Sequence, residues 1–163
     1  MATTRLPPDF SQFLRLLNAH RVEYLLIGGY AVGYYGYVRA TADIDLWMSN
    51  DPENASRIVA AIKEFGFNVP KLTPTLFTKR DSIVRMGLPP LRIELLTTIS
   101  GVKFHPCYLR RVVDELDGIE VPIRSLEDLK ENKRQKRTRQ RPARSRSAAL
   151  ATESASTTRR KPA

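Results

Sequence analysis

The chain has 163 residues, 42% of them hydrophobic, which fits one globular domain with a core of its own. No apolar stretch approaches the roughly 20 residues of a membrane-spanning helix, and residues 1–8 lack the apolar segment of a secretory signal, so we expect a cytoplasmic protein with no membrane partner. The net charge of +10 comes from residues 130–163, which hold 12 Lys and Arg against 2 Asp and Glu, because residues 1–129 carry 15 of each.

Helices and strands alternate in the first half of the chain. The pattern predicts a helix from Asp9 or Ser11 to about His20, a strand at 24–27, a helix at 30–37, a strand at 43–48 and a helix from Pro52 to Gly66. The second half predicts hairpins of 82–86 with 91–96 and of 112–116 with 119–123, and a helix capped by Ser125. We therefore expect an α+β domain over residues 1–133, a small mixed sheet flanked by helices, followed by a disordered basic tail at 134–163.

Two aspartates one residue apart, Asp43 and Asp45, are the most informative feature of the sequence. Residues i and i+2 of a strand point to the same side, so both carboxylates should face one surface while Ile44 and Leu46 face the core. Two like charges held together favour a cation between them, and Mg²⁺ takes oxygen ligands from one or two carboxylates together with substrate phosphates. The pair is a candidate magnesium site, and a solvated strand face is the alternative.

A glycine pair, Gly28 and Gly29, lies where the strand at 24–27 meets the next helix. Glycines at such a turn let a ligand approach the backbone closely, and the start of a helix presents free N–H groups to a phosphate. Considered alone, such a pair is usually only a turn. Phosphate binding beside a metal site would together indicate nucleotide chemistry.

A third acidic residue, Glu94, interrupts the otherwise core-like strand at 91–96. Strand alternation places it on one face with Arg92 and Leu96. If this strand neighbours the one at 43–48, Glu94 joins the two aspartates as a third carboxylate.

Other residues near these motifs have structural explanations. Four tyrosines in the helix after the glycine pair could stack a base, but packing of the helix on the sheet is the favoured interpretation; they are Tyr30, Tyr34, Tyr35 and Tyr37. Trp47 shares the face of the two aspartates and either borders a nucleotide or packs. Cys107 has no identifiable activating neighbour, so we assign it no chemistry.

These motifs resemble those of the minimal nucleotidyltransferases of the DNA polymerase β-like superfamily. The resemblance rests on Gly28-Gly29-Tyr30-Ala31, Gly36, Arg39, Thr41, Asp43-Ile44-Asp45-Leu46 and Arg92-Ile93-Glu94-Leu95-Leu96-Thr97, within roughly residues 13–133. Within that superfamily, the sequence is similar to small bacterial proteins of the abortive-infection and toxin–antitoxin type.

The resemblance implies roles for the glycine pair and the three acidic residues. Gly28 and Gly29 would bind the triphosphate of a nucleoside triphosphate. Asp43, Asp45 and Glu94 would be catalytic and would hold two Mg²⁺ ions, which stabilise the attacking and leaving oxygens of the displacement. Glu94 stands where the family usually carries aspartate, and its additional methylene changes the reach of the carboxylate.

The implied reaction transfers a nucleoside monophosphate from a nucleoside triphosphate to a hydroxyl of a small molecule, an RNA or a protein, with pyrophosphate leaving. Arg39 would contact the phosphates, with a loop salt bridge as the alternative. A second hypothesis is a catalytically weak component of a toxin–antitoxin or phage-defence pair that acts through a protein partner such as an antitoxin. A third is nucleic-acid binding through the basic tail.

The family pattern stops after Arg134. Back-translation of residues 135–149 with permitted codons, read one base later, allows Lys-Ser-Gly-Arg-Ala-Lys-Asp-Leu-Pro-Asp-Leu-Glu-Ala-Leu, which resembles the helix that usually continues such proteins. We hypothesise that a frameshift produced the tail, so the tail is weak evidence for any partner.

Overall fold

The computed structural model describes residues 5–37, 42–87, 91–99 and 102–131. The helices are α1 (Pro8–Ala19), α2 (Gly28–Tyr34), α3 (Pro52–Phe65), α4 (Thr75–Thr78), α5 (Phe104–Leu109) and α6 (126–131). The strands are β1 (Tyr24–Ile27), β2 (Asp43–Met48), β3 (Ile83–Met86), β4 (Arg92–Leu96), β5 (Val112–Leu116) and β6 (Ile119–Ile123). The predicted tail and the proposed phosphate contact Arg39 lie outside these ranges.

The six strands form one mixed sheet in the order β3-β4-β2-β1-β6-β5. The β3–β4, β1–β2 and β5–β6 pairs are antiparallel, whereas β2–β4 and β1–β6 are parallel. The predicted architecture, a mixed sheet flanked by helices, is thereby confirmed. Both predicted hairpins are present, and the second turns at Asp117 and Gly118, which both have positive φ, as a type I′ hairpin turn requires.

Each face of the sheet has its own apolar cluster, because side chains alternate along the strands. Leu26 and Leu46 belong to the larger cluster, which includes buried residues of α1 and α3. Leu25, Ile27 and Trp47 belong to the smaller one, with Ile99 and α5. Asp43 and Asp45 alternate with buried Ile44 and therefore share the face of Trp47 and of the smaller cluster.

The boundaries of α3 follow from its ends. Pro52 is the first helical residue, the Asp51 carboxylate accepts a hydrogen bond from the Glu53 N–H at 3.2 Å, and Gly66 ends the helix at φ +122°. The helix predicted from Pro52 to Gly66 is confirmed. Ser125 caps α6 as predicted, with its Oγ accepting from the Asp128 N–H at 3.1 Å.

Two other helix boundaries were predicted wrongly. The first helix begins at Pro8, with Pro7 as its N-terminal flanking residue and no side-chain cap, so neither Asp9 nor Ser11 caps it. Proline suits this position because its fixed φ matches that of the helix. It also lacks an N–H, and an N–H at the first helical position would have no acceptor within the helix. The second helix covers Gly28–Tyr34 instead of 30–37, because the glycines form its first turn and Gly36, at φ +95°, follows its end.

None of the helices in the described ranges combines the length and the hydropathy that crossing a membrane requires.

Candidate functional site

The two aspartates occupy the first and third positions of β2. Both are partly buried and lie on the same face of the strand. The neighbour of β2 on one side is β1, where Ile27 is opposite Asp45. Its neighbour on the other side is β4, where Glu94 is opposite Asp45 and Arg92 is opposite Asp43. The strand of Glu94 is therefore adjacent to that of the aspartates, which was the condition for a third carboxylate.

Gly28 brings the backbone against the Asp45 carboxylate. It follows Ile27, the residue opposite Asp45, and has a φ of +71°. A Cβ built on Gly28 would overlap the Asp45 Oδ2 and lie 3.0 Å from its Cγ. The space at Gly28 is therefore filled by the carboxylate of β2, and only glycine fits it without displacement of that side chain. Gly29 continues into α2, whose start has no side-chain cap.

Arginines neutralise two of the three acids. Arg85, opposite Glu94 on β3, donates from its Nε to the Glu94 Oε2 at 2.8 Å. The Arg92 Nε lies 3.6 Å from the Asp43 Oδ1. Within the described ranges, no three His, Cys, Asp or Glu side chains converge as a group that could hold a metal ion. The sheet thus places Asp45 between Ile27 of β1 and Glu94 of β4, with Gly28 next to Ile27 along the chain. The ion pairs connect Glu94 to Arg85 and Asp43 to Arg92.

The donor set nevertheless fits a hard divalent cation. Asp43 and Asp45 present carboxylates on one face of a strand, and the glycine at position 28 leaves the Asp45 carboxylate in contact with the backbone at the start of α2. Mg²⁺ requires only one or two carboxylates when phosphate oxygens and water complete its coordination. Asp43 and Asp45 supply that number of carboxylates on one face of β2, whereas Glu94 is hydrogen-bonded to Arg85.

The aromatic residues near the site pack into the fold. Trp47 is 1% exposed, and the Phe104 ring meets it edge-on at 5.2 Å between centroids. Tyr30 meets Phe10 in the same way at 5.9 Å. The hydroxyl groups of Tyr34 and Tyr35 donate to Asp114 Oδ2 at 2.6 Å and to the Arg124 carbonyl at 2.8 Å. For Trp47 and these three tyrosines the contacts support packing over base stacking, whereas Tyr37 is 54% exposed. Burial raises the pKa of the Cys107 thiol, in agreement with our assigning it no chemistry.

Sequence reasoning missed a buried arginine that lies over Trp47, on the face of the sheet that carries the two aspartates. Arg124 follows β6, is 1% exposed and places its guanidinium 5.3 Å from the centre of the Trp47 ring. Its Nε and Nη2 have no hydrogen-bond partner among the residues that the structure describes. Burial lowers the pKa of Arg124, although Cys107 and Asp128 act in the opposite direction. The Asp128 carboxylate accepts two hydrogen bonds from Arg110, at 2.8 and 3.1 Å.

The Arg124→Met variant is expected to be more stable than the wild type, with a free energy of unfolding about 1–2 kcal/mol higher. The reason is that the substitution removes a buried cation whose hydrogen bonding is incomplete. The flexible thioether can fill the space and contact Trp47. Urea denaturation measures the change. Arg111→Met is the control, since Arg111 lies 4.0 Å from the centre of the Tyr108 ring but is only half-buried. A larger loss of stability in Arg124→Met than in Arg111→Met would show that the buried guanidinium stabilises the fold.

Comparison with known proteins supports the fold. The structure is similar to a candidate nucleotidyltransferase from Thermotoga maritima, with a TM-score of 0.53 and 16% identity over 78% of this chain and 84% of that one. It also matches the lincosamide antibiotic adenylyltransferase LnuA, solved with lincomycin bound, with a TM-score of 0.47 and 10% identity over 95% and 99% of the two chains. No protein-family model and no curated protein match the sequence. The first similarity shows a shared nucleotidyltransferase-like fold.

Proposed function

We propose that this protein is a metal-dependent nucleotidyltransferase that transfers a nucleoside monophosphate from a nucleoside triphosphate to a hydroxyl group, with pyrophosphate leaving. The observation that carries the proposal is the close approach of Gly28 to the carboxylate of Asp45, the residue opposite Glu94. It places a glycine turn that could bind phosphate next to a strand whose carboxylates could bind a metal ion. The fold shared with the Thermotoga maritima protein supports the same class of reaction.

The residues of the site have distinct tasks in this proposal. Asp43 and Asp45 would hold Mg²⁺, with Glu94 as the third acidic group. When bound, Mg²⁺ supplies positive charge to the phosphates and to the attacking oxygen. The uncapped backbone N–H groups at the start of α2, beginning with Gly28 and Gly29, would donate to phosphate oxygens. The acceptor would be a small molecule, an RNA or a protein, and the reaction would take place in the cytoplasm.

The ion pairs in the site favour a second candidate function. Arg85 and Arg92 contact two of the three acids, so metal binding must compete with internal cations. A weakly catalytic member of a toxin–antitoxin or phage-defence pair, acting through a protein partner, would fit a site in that state.

A transfer assay tests the leading proposal. The purified protein is incubated with Mg²⁺, a cell extract and, in turn, each nucleoside triphosphate labelled at its α-phosphate. We expect label to move to an acceptor with equimolar release of pyrophosphate, and we expect EDTA to stop the reaction. If none of the nucleotides gives transfer and the protein instead captures a protein partner, the second function replaces the first.

A further inference from the structure

A charged row crosses three neighbouring strands on the candidate-site face. It runs from Arg85 on β3 through Glu94 on β4 to Asp45 on β2, and each residue is opposite the next in register. The larger apolar cluster on the other face contains Val84, Met86, Ile93 and Leu95, which alternate with Arg85 and Glu94 along their strands. Strand alternation therefore puts all three charged side chains on one face.

The Arg85–Glu94 ion pair of this row is shorter than the Arg92–Asp43 pair beside it. Its Nε–Oε2 distance is 2.8 Å, whereas the Arg92–Asp43 pair is separated by 3.6 Å. The Glu94 side chain is 16% exposed and that of Arg85 is 34% exposed, so water screens this pair less than a surface pair. A divalent cation that uses the Glu94 carboxylate must take it from a partner that is already in contact.

We propose that Arg85 is a positioning residue that competes with the divalent cation for Glu94. This inference rests on the proposed function, because it assumes that Asp43 and Asp45 bind a metal ion. With Arg85 in place, Glu94 is held toward β3 and the two aspartates form the primary cation site. When the Arg85–Glu94 ion pair breaks, the Glu94 carboxylate can bind the cation together with Asp45, the residue opposite it on β2.

The bond to Arg85 is consistent with the absence, among the described residues, of three acidic side chains placed to hold a metal ion. It also separates this site from a simple acidic cluster, because the arginine offsets the charge of Glu94. A purely structural cross-strand pair would stabilise the sheet by about 0.2–1 kcal/mol. Removing its arginine would then change metal affinity only through the loss of one positive charge. Metal affinity therefore distinguishes the two roles.

The test measures Mn²⁺ binding to the purified full-length chain, by the loss of the free-ion signal in electron paramagnetic resonance. Arg85→Met is expected to bind Mn²⁺ about 3- to 10-fold more tightly than the wild type, as expected for the loss of one partly exposed ion pair. Arg57→Met is the control, because it removes the same charge from a 3.8 Å surface pair with Glu53 on α3. Its affinity for Mn²⁺ should change less than that of Arg85→Met.

A second substitution assigns the gain to Glu94. Adding Glu94→Gln to Arg85→Met should remove the gain, and Arg85→Lys should bind Mn²⁺ nearly as the wild type does. If Arg85→Met does not fold, as judged by its thermal melt, Arg85→Gln replaces it in the same comparison. Wild-type affinity in Arg85→Met, or a change no larger than that in Arg57→Met, overturns the inference, and the same criterion applies to Arg85→Gln where it replaces Arg85→Met.

One further variant separates this result from the proposed function. Asp45→Asn should weaken Mn²⁺ binding by about 10-fold or more, since it removes a charged ligand. If Asp45→Asn weakens binding and Arg85→Met changes nothing, the metal site stands and the competition is wrong. If neither the wild type nor any Arg85 variant binds Mn²⁺, the proposed metal site and the proposed competition are both wrong.

Discussion

Asp45→Asn is expected to lower the rate of nucleotidyl transfer by about a thousandfold, since the neutral amide no longer offsets the charge of a bound cation. Asp45 lies between the glycine turn and the acidic residue of β4, because it contacts Gly28 and is opposite Glu94. The substitution keeps the size of the side chain, so the sheet should be retained. Steady-state transfer of labelled nucleotide, with a thermal melt of the same sample, measures both effects.

Glu115→Gln is the matched control for this prediction. Glu115 is exposed on β5, at the opposite end of the sheet from β3, and the substitution also replaces one carboxylate by an amide. Its transfer rate should stay within about twofold of the wild type, as for an ordinary surface substitution. Asp45→Asn that retains transfer at the rate of Glu115→Gln would refute a role for this carboxylate in catalysis.

Gly28→Ala is expected to lower the free energy of unfolding by about 2–4 kcal/mol and to reduce transfer as well. The backbone at Gly28 has a φ of +71°, which costs an L-residue about 1–2 kcal/mol. The added methyl group also overlaps the Asp45 carboxylate, so that side chain must move. Urea denaturation gives the loss of stability, and the transfer assay gives the loss of rate.

Gly33→Ala provides the control on the same helix. Gly33 lies in α2, and a Cβ built there meets nothing within 4 Å. Alanine should therefore be neutral or stabilising by up to about 1 kcal/mol, because it has the higher helix propensity. Equal stability of the Gly28→Ala and Gly33→Ala variants would show that the contact with Asp45 is unimportant.

Local patterns were sufficient to predict most of the fold. The apolar run at 24–27, the alternation around Asp43 and Asp45, and the turn at Asp117 and Gly118 each determine an element through neighbours in the chain. The start of α1 was wrong because Pro8 competes with the better capping residues that follow it. The start of α2 was wrong because a glycine pair can belong either to a turn or to the helix after it, and only the contact with β2 decides.

The candidate site was harder to predict because its partners come from different strands. Alternation placed Glu94 on the correct face, but no local pattern could show that Arg85 lies opposite it. The signal that identified Glu94, a charge inside an apolar strand, applies equally to Arg85 between Val84 and Met86. Arg124 gave no such signal, because the residues near its guanidinium, Trp47 and Cys107, come from other parts of the chain.

The parallel pairing of β1 with β6 has a consequence for the order of folding. It joins Leu26 to Ile123, so the sheet closes only when nearly all of the described chain has been synthesised. The β3–β4 and β5–β6 hairpins link residues near in sequence and can form early. The long segment between β1 and β6 brings its ends together slowly. A ribosome-bound chain that has not yet extended past β6 therefore exposes one edge of β1, and this edge is a target for chaperones and for aggregation.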